Sequence, residues 1–98
     1  MMEVTFEDDH LQALAGGHSG STYPPAICKA LQKRVVYMRG ALDESDFHQM
    51  RSLNFEKLKG DRSGQYSMRL SDQWRLILGF RGEAPNKTVI VISIEDYH

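Results

Sequence analysis

The sequence predicts an α+β fold, in which an antiparallel-rich sheet carries two N-terminal helices on one side in the order β-α-α-β-β-β. Three observations predict it. A short alternating segment opens the chain, a helical stripe of apolar residues follows, and three segments with strand character close it. A chain of 98 residues suffices for one modest core, so we expect a single domain over residues 1–98.

The first two elements are short. Residues 2–6 alternate apolar and polar side chains, which is the period of a half-buried strand. Asp8 or Asp9 then supplies an N-cap for a helix that extends through Ala15. The glycine-rich segment 16–21 lacks the strand before it and the Lys-Ser/Thr pair after it that a phosphate-binding P-loop requires. We interpret this segment as a plain connector.

A second helix is predicted from Pro24 and Pro25, with Ser21 or Thr22 as a possible cap, because proline fits the first turn of a helix. Its apolar residues recur at spacings of 4, 4, 3 and 4, as expected for one buried face. This stripe comprises Ile27, Leu31, Val35, Met38 and Leu42. Residues 43–52 are expected to form a short helix or turn.

From residue 65 the pattern changes to strands. Segments 65–70 and 74–80 are joined by a tight turn at Ser71 and Asp72, and a third strand covers 87–95. Residues 88–94 are nearly all apolar and β-branched, which is typical of a central strand that is buried on both faces.

Charge is unevenly distributed along the chain. The net charge of -1 argues against a protein that coats nucleic acid nonspecifically, since such proteins are strongly basic. However, residues 11–42 contain four bases and no acid, and residues 47–82 contain seven bases against three acids. A basic surface can therefore form on a nearly neutral chain.

The remaining bulk features point to a small protein of a reducing compartment. The longest apolar stretch is far shorter than the ~20 residues of a membrane helix, and the acidic N-terminus does not resemble a signal peptide. The lone Cys28 has no partner for a disulfide, and we interpret it as a small core residue. The cytoplasm is the expected location.

Two segments carry candidate chemistry. The tail ends in Asp96, Tyr97 and His98, and strand alternation would place Asp96 and His98 on one side and Tyr97 on the other. A disordered polar tail is the alternative. In the second segment, Arg75 stands in an otherwise apolar strand, where a half-buried guanidinium needs an anionic partner. That partner is either an internal carboxylate such as Asp96 or a ligand phosphate.

Four motifs in the C-terminal half together resemble the HigB group of the RelE toxin superfamily. They are LKGD at 58–61, GQYSMR at 64–69, DQWR at 72–75 and EDYH at 95–98. The resemblance implies the RelE-like microbial ribonuclease fold and ribosome-dependent cleavage of messenger RNA at the A site. It also implies a helix-turn-helix, HigA-like antitoxin as partner in a toxin–antitoxin heterotetramer.

The resemblance also implies site residues. The basic active-site positions of the family fall on Lys59 and Arg75. The family's terminal acidic, aromatic and histidine positions fall on Asp96, Tyr97 and His98. Some members have a histidine where this chain has Glu56, a carboxylate that can accept a proton but cannot act as a cation. Further basic residues are candidates for RNA binding, with a solvated or antitoxin-facing role as the alternative for the helical ones: Lys57, Arg62, Arg69, Lys33 and Arg34.

Metal-free cleavage of RNA needs a base for the 2′-hydroxyl, cations for the phosphorane and an acid for the leaving oxygen. We assign Lys59 and Arg75 to the phosphate. Proton transfer falls to His98 or Asp96, with Glu56 as a further candidate, and Tyr97 stacks on a base. No cofactor is expected, and the histidines lack the spacing of a zinc site.

Two other functions remain open. One is a ParE-like toxin that inhibits gyrase through protein contacts without cleaving anything. The other is a degenerate relative that binds antitoxin or RNA without cleavage.

Overall fold

The computed structural model describes residues 2–17, 23–83 and 86–96, and in them five strands form one sheet. The strands are β1 (Glu3–Phe6), β2 (Glu56–Lys57), β3 (Tyr66–Arg69), β4 (Trp74–Arg81) and β5 (Thr88–Asp96). The helices are α1 (Asp9–Ala15), α2 (Pro25–Gly40) and α3 (Ser45–Gln49), with 3₁₀ turns at Arg51–Leu53 and Gly60–Arg62.

The strand order across the sheet is β1-β5-β4-β3-β2. Strand β1 runs parallel to β5, whereas the other neighbouring pairs are antiparallel. The predicted α+β class, with an antiparallel-rich sheet and two N-terminal helices, is confirmed. The structure adds β2, a two-residue edge strand that the sequence pattern did not predict, and α3 falls within the short helix or turn expected at 43–52.

Helix α1 begins as predicted, because the side chain of Asp8 accepts a hydrogen bond of 2.8 Å from the backbone N–H of His10. Leu11 and Leu14 are its buried residues. Helix α2 begins at Pro25, where a missing N–H is harmless. The predicted caps Ser21 and Thr22 lie outside the described residues.

The prediction that Leu42 continues the buried stripe of α2 is wrong. The helix ends at Gly40, and the next residue, Ala41, adopts an extended backbone with ψ of 151°. This change of direction turns Ala41 into the core and leaves Leu42 75% exposed. The other four residues of the stripe are buried, as expected.

The prediction that β5 is buried on both faces is also wrong. Strand β5 has a neighbour on each edge, yet Ile90 and Ile92 are only half-buried, because the helices cover a single face of the sheet. The strand that is buried on both faces is β4, at Leu76, Ile77 and Leu78. Strand β4 also occupies the centre of the sheet.

A register shift interrupts the pairing of β4 with β5. Ile77 pairs with Ser93, but the next residue, Leu78, pairs with Val91, so Ile92 is an extra residue on β5. Such a bulge reverses which of the following side chains point to each face. Its consequence is that Glu95 pairs with Arg75, and Asp96 pairs with Trp74.

The core lies between the sheet and the helices. Leu76 and Leu78 from β4 and Val89 and Val91 from β5 belong to the same buried cluster as the stripe of α2. Among the described residues, none of the helices combines the length and the hydropathy needed to cross a bilayer.

Candidate active site

The helices cover one face of the sheet, and we call the other the open face. Residues paired across antiparallel strands project to the same face, so the pairing defines rows of neighbours. One row of the open face contains Arg69 of β3, Arg75 of β4 and Glu95 of β5. The adjacent row contains Glu56, Ser67, Ile77 and Ser93. Charged groups therefore concentrate beside the turn between β3 and β4.

Backbone carbonyl groups hold the head group of Arg75. Its Nη1 donates to the carbonyl oxygen of Ser71 at 2.7 Å and to that of Trp74 at 3.2 Å. Because carbonyl oxygens carry no net charge, these bonds orient the guanidinium without neutralising it. Arg75 is half-buried at the centre of its row, as expected for a cation that is positioned to meet an anion.

Arg69 lies directly opposite Arg75 on the neighbouring strand, and like charges in this arrangement repel. Arg69 forms an ion pair with Asp72, which is three residues further along the turn. The side chain of Asp72 is 91% exposed, so solvent screens this pair and it offsets little of the repulsion. Two adjacent guanidinium groups at this end of the row can together attract an anionic ligand.

Glu95 occupies the other end of this row. Its Oε2 accepts a hydrogen bond from Nη2 of Arg62 at 2.7 Å and one from Oγ of Ser93 at 3.2 Å. The site residues named from the sequence did not include Glu95, and Arg62 was predicted to bind RNA. The structure pairs these two side chains, which are 33 residues apart.

Glu56 lies on the open face, in the row next to Arg69 and Arg75. The exposed Lys59 directly precedes the 3₁₀ turn that carries Arg62, which contacts Glu95 on this face. Lys57 is exposed and pairs with Tyr66, so alternation gives it the opposite side of β2 from Glu56. The fold thus brings Glu56 and Arg75 to the same face.

Asp96 is placed differently from the sequence expectation. Its partner across the strands is Trp74, which packs against the core, and its Oδ2 accepts a hydrogen bond of 3.1 Å from Nε2 of Gln73. The bulge at Ile92 shifts the register by one residue, so that Glu95, rather than Ile94, lies opposite Arg75 and Asp96 falls on the other side of the strand. Tyr97 and His98 lie outside the described residues.

Arg34 and Lys33 come from helix α2. Nε of Arg34 donates to the backbone oxygen of Arg69 at 3.1 Å and so links the helix to the end of β3. Burial, and after it the positive charge of Arg69, lowers the pKa of the Arg34 guanidinium. Lys33 is exposed on the same helix.

The open face combines guanidinium groups that can hold a phosphate with Glu56, a carboxylate that can accept a proton. No group of three or more His, Cys, Asp or Glu side chains suited to a metal ion occurs within residues 2–17, 23–83 and 86–96.

The family model of the HigB-like toxins, described as RelE-like toxins of the type II toxin–antitoxin system HigB, matches residues 4–98. No curated protein sequence matches the chain significantly.

Solved structures of toxins share the fold. A YoeB/ParE toxin from Agrobacterium tumefaciens aligns with a TM-score of 0.59 at 14% identity, covering 99% of this chain and 100% of that one. The YoeB–YefM complex from Staphylococcus aureus aligns with a TM-score of 0.55 at 18% identity, covering 100% and 98%. The YoeB dimer from Staphylococcus aureus aligns with a TM-score of 0.52 at 17% identity, covering 99% and 97%.

Proposed function

The chain belongs to the HigB-like toxins, the RelE-like toxins of type II toxin–antitoxin systems, and on this premise we propose that it is a metal-independent endoribonuclease. Its substrate is messenger RNA in the ribosomal A site, and cleavage there inhibits translation. The observation that carries the proposal is the position of Arg75, which stands between Arg69 and Glu95 on a sheet face that the helices leave uncovered.

In this mechanism the 2′-oxygen of one nucleotide attacks the adjacent phosphorus, and the bond to the 5′-oxygen breaks. The products are a 2′,3′-cyclic phosphate and a 5′-hydroxyl. Arg75 and Lys59 stabilise the extra negative charge of the phosphorane, because fixed cations contribute most where charge develops. The carbonyl bonds to Arg75 support this role, since they fix its guanidinium in advance.

Proton transfer requires a base and an acid. Glu56 shares the open face with Arg75, which supports it as the acceptor of the 2′-hydroxyl proton. We assign protonation of the leaving 5′-oxygen to His98 and stacking on a base to Tyr97, on the strength of the motif alone. Asp96, at the end of β5, is the alternative to His98 for proton transfer.

Dependence on the ribosome follows from the weakness of these groups. A site with one histidine has little acid–base strength of its own. Such a site gains most when its substrate is held in line for attack, because fixed geometry lowers the activation barrier by ~7 kcal/mol or more. Counterion release drives the binding of free RNA to strongly basic proteins, and a chain with a net charge of -1 gains little from it. We expect negligible cleavage of naked RNA at low micromolar protein.

A helix-turn-helix, HigA-like antitoxin completes the proposal, as a partner in a cytoplasmic toxin–antitoxin heterotetramer. The solved YoeB–YefM complex supports an antitoxin partner in general. Co-expression with the neighbouring open reading frame, followed by purification through a tag on that second protein, measures the association.

Primer extension on ribosome-loaded messenger, with and without the protein, tests the enzymatic function. We expect new ends within codons that appear only on the ribosome. Equal cleavage of free RNA would contradict ribosome dependence. Inhibition of DNA supercoiling without RNA cleavage would favour the ParE-like alternative, and binding without either activity would favour a degenerate relative.

A further inference from the structure

The ion pair between Arg62 and Glu95 spans the open face. Arg62 belongs to the loop 58–65, which joins β2 to β3 at the edge of the sheet, whereas Glu95 belongs to β5. Two strand spacings, ~10 Å, separate β3 from β5. With Nη2 of Arg62 2.7 Å from Oε2 of Glu95, the loop must fold back over the open face to bring Arg62 to β5.

The loop 58–65 holds its own shape but is weakly tied to the sheet. Backbone N–H groups of Leu58 and Gln65 donate to the carbonyl groups of Gln65 and Arg62, both at 2.9 Å. Strand β2, at one end of the loop, pairs with β3 through two residues only. Internal bonds therefore set the shape of the loop, while its position over the open face needs a contact further away.

Glu95 supplies that contact. Its carboxylate is mostly shielded, with a side chain that is 29% exposed, and it is fixed from two directions by Arg62 and Ser93. It also lies opposite Arg75 across the strands. A negative charge in contact with Arg62 and opposite Arg75 across the strands lowers the repulsion between these two cations on the open face.

We propose that Glu95 is a positioning residue, whose contact with Arg62 anchors the loop 58–65 over the open face and so fixes Lys59 relative to Arg75. This inference rests on the proposed function, because Lys59 and Arg75 are the groups assigned to the phosphate. Glu95 touches neither the substrate nor a reacting proton in this scheme. It acts through Arg62, and its Oε2 already accepts hydrogen bonds from Arg62 and Ser93.

A double-mutant cycle tests the pair. Glu95→Gln and Arg62→Met should each lower the single-turnover rate on ribosome-loaded messenger by about 10- to 100-fold, the scale of a misplaced catalytic group. The ribosome concentration for half-maximal rate should not change. The double variant should be no slower than the slower single variant, because both remove the same contact. Arg62→Lys, which keeps the charge, should recover part of the rate.

The ion pair between Lys87 and Glu44 provides a matched control. It is also half-buried, with side chains 22% and 30% exposed, and it lies beside the other end of β5, ~26 Å along the strand from Glu95. Lys87→Met and Glu44→Gln make the same kinds of change and should leave the cleavage rate within twofold of wild type. Cleavage by Glu95→Gln at the rate of these controls would overturn the proposal.

Amide hydrogen exchange separates this inference from the proposed function, since it needs no activity. In Glu95→Gln and in Arg62→Met, the amides of Ser63 and Gln65 should exchange at least tenfold faster, while those of β4 keep their protection. Unchanged exchange in the loop would overturn the anchoring role. A slow Glu95→Gln variant with unchanged exchange in the loop, and with rate losses that add up in the double variant, would identify Glu95 as a proton carrier. That outcome would also overturn the anchoring role. Failure of the proposed function appears separately, as a wild type that does not cleave.

Discussion

The two faces of the sheet come from the same strands but differ in charge near the turn between β3 and β4. Toward the helices, β4 presents Leu76 and Leu78, both fully buried. Toward the open face, the adjacent Arg75 is held by backbone carbonyl groups and lies beside other charged side chains. Because alternate residues of a strand project to opposite faces, neighbouring positions can serve stability and chemistry independently. Substitutions one to three residues apart on β4 should therefore have separate effects.

The largest effect is expected from the helix-covered face. Leu78→Ala removes a fully buried side chain and leaves a cavity, which should lower the free energy of unfolding by ~2–5 kcal/mol. Urea denaturation measures the loss. Val36→Ala, at a side chain that is 70% exposed on α2, is the control and should change stability by less than ~0.5 kcal/mol. Equal losses at the two positions would contradict the assignment of the core to this face.

Arg75→Ala should show the reverse behaviour. Losing a fixed cation at the phosphate should slow cleavage by ~10²-fold, or ~3 kcal/mol. Losing the bond to Ser71 should cost only ~1 kcal/mol of stability. Primer extension and thermal melting on the same preparation measure the two effects.

Arg81→Ala is the matched control for this substitution. Arg81 is exposed at the far end of β4, and by strand alternation it projects to the same face as Arg75. Replacing either arginine by alanine changes the net charge by the same amount. It should cleave at nearly the wild-type rate. If Arg75→Ala instead lost several kcal/mol of stability and failed to accumulate, Arg75 would be a structural ion-pair residue rather than a phosphate ligand.

Truncation after Asp96 should also separate activity from folding. Strand β5 keeps its full pairing with β4 up to Asp96, so removing Tyr97 and His98 should leave the melting temperature nearly unchanged. Loss of the proposed proton donor should lower the cleavage rate by ~10²-fold or more. A truncated protein that cleaves at the wild-type rate would show that the terminal residues take no part in the reaction.

Local periodicity predicted most of the fold. The stripe on α2 and the alternation in β1 are repeated short-range signals, and both elements formed as expected. Strand β2 gave no such signal, because two exposed residues at a sheet edge are too short to show a period. Leu42 fitted the helical spacing, but the helix had already ended at Gly40.

The site was less predictable because it depends on register. Counted along β5 from Val91, unbroken alternation would put Asp96 on the open face and Glu95 toward the core, whereas the extra residue Ile92 exchanges them. The spacing of three between the buried residues Val91 and Ile94 was the available signal. It was obscured because the residues around it are also apolar. The contact between Arg62 and Glu95 joins distant segments and left no local pattern.

The smallest effect is expected from Lys33, on the exposed side of α2. No acidic residue occurs between 11 and 42, so this helix presents uncompensated positive charge that we expect to contact ribosomal RNA. Lys33→Gln should leave the rate at saturating ribosomes unchanged and weaken binding a few-fold. If Lys33 neutralises one phosphate, a plot of the log of the ribosome-binding constant against the log of the salt concentration should have a slope that is smaller in magnitude by ~0.9 in Lys33→Gln. Titration of ribosomes at several salt concentrations measures it, with Arg81→Gln as a control of equal charge. An unchanged slope for Lys33→Gln would mean that this side of α2 stays in solvent, and RNA contact would then be confined to the open face.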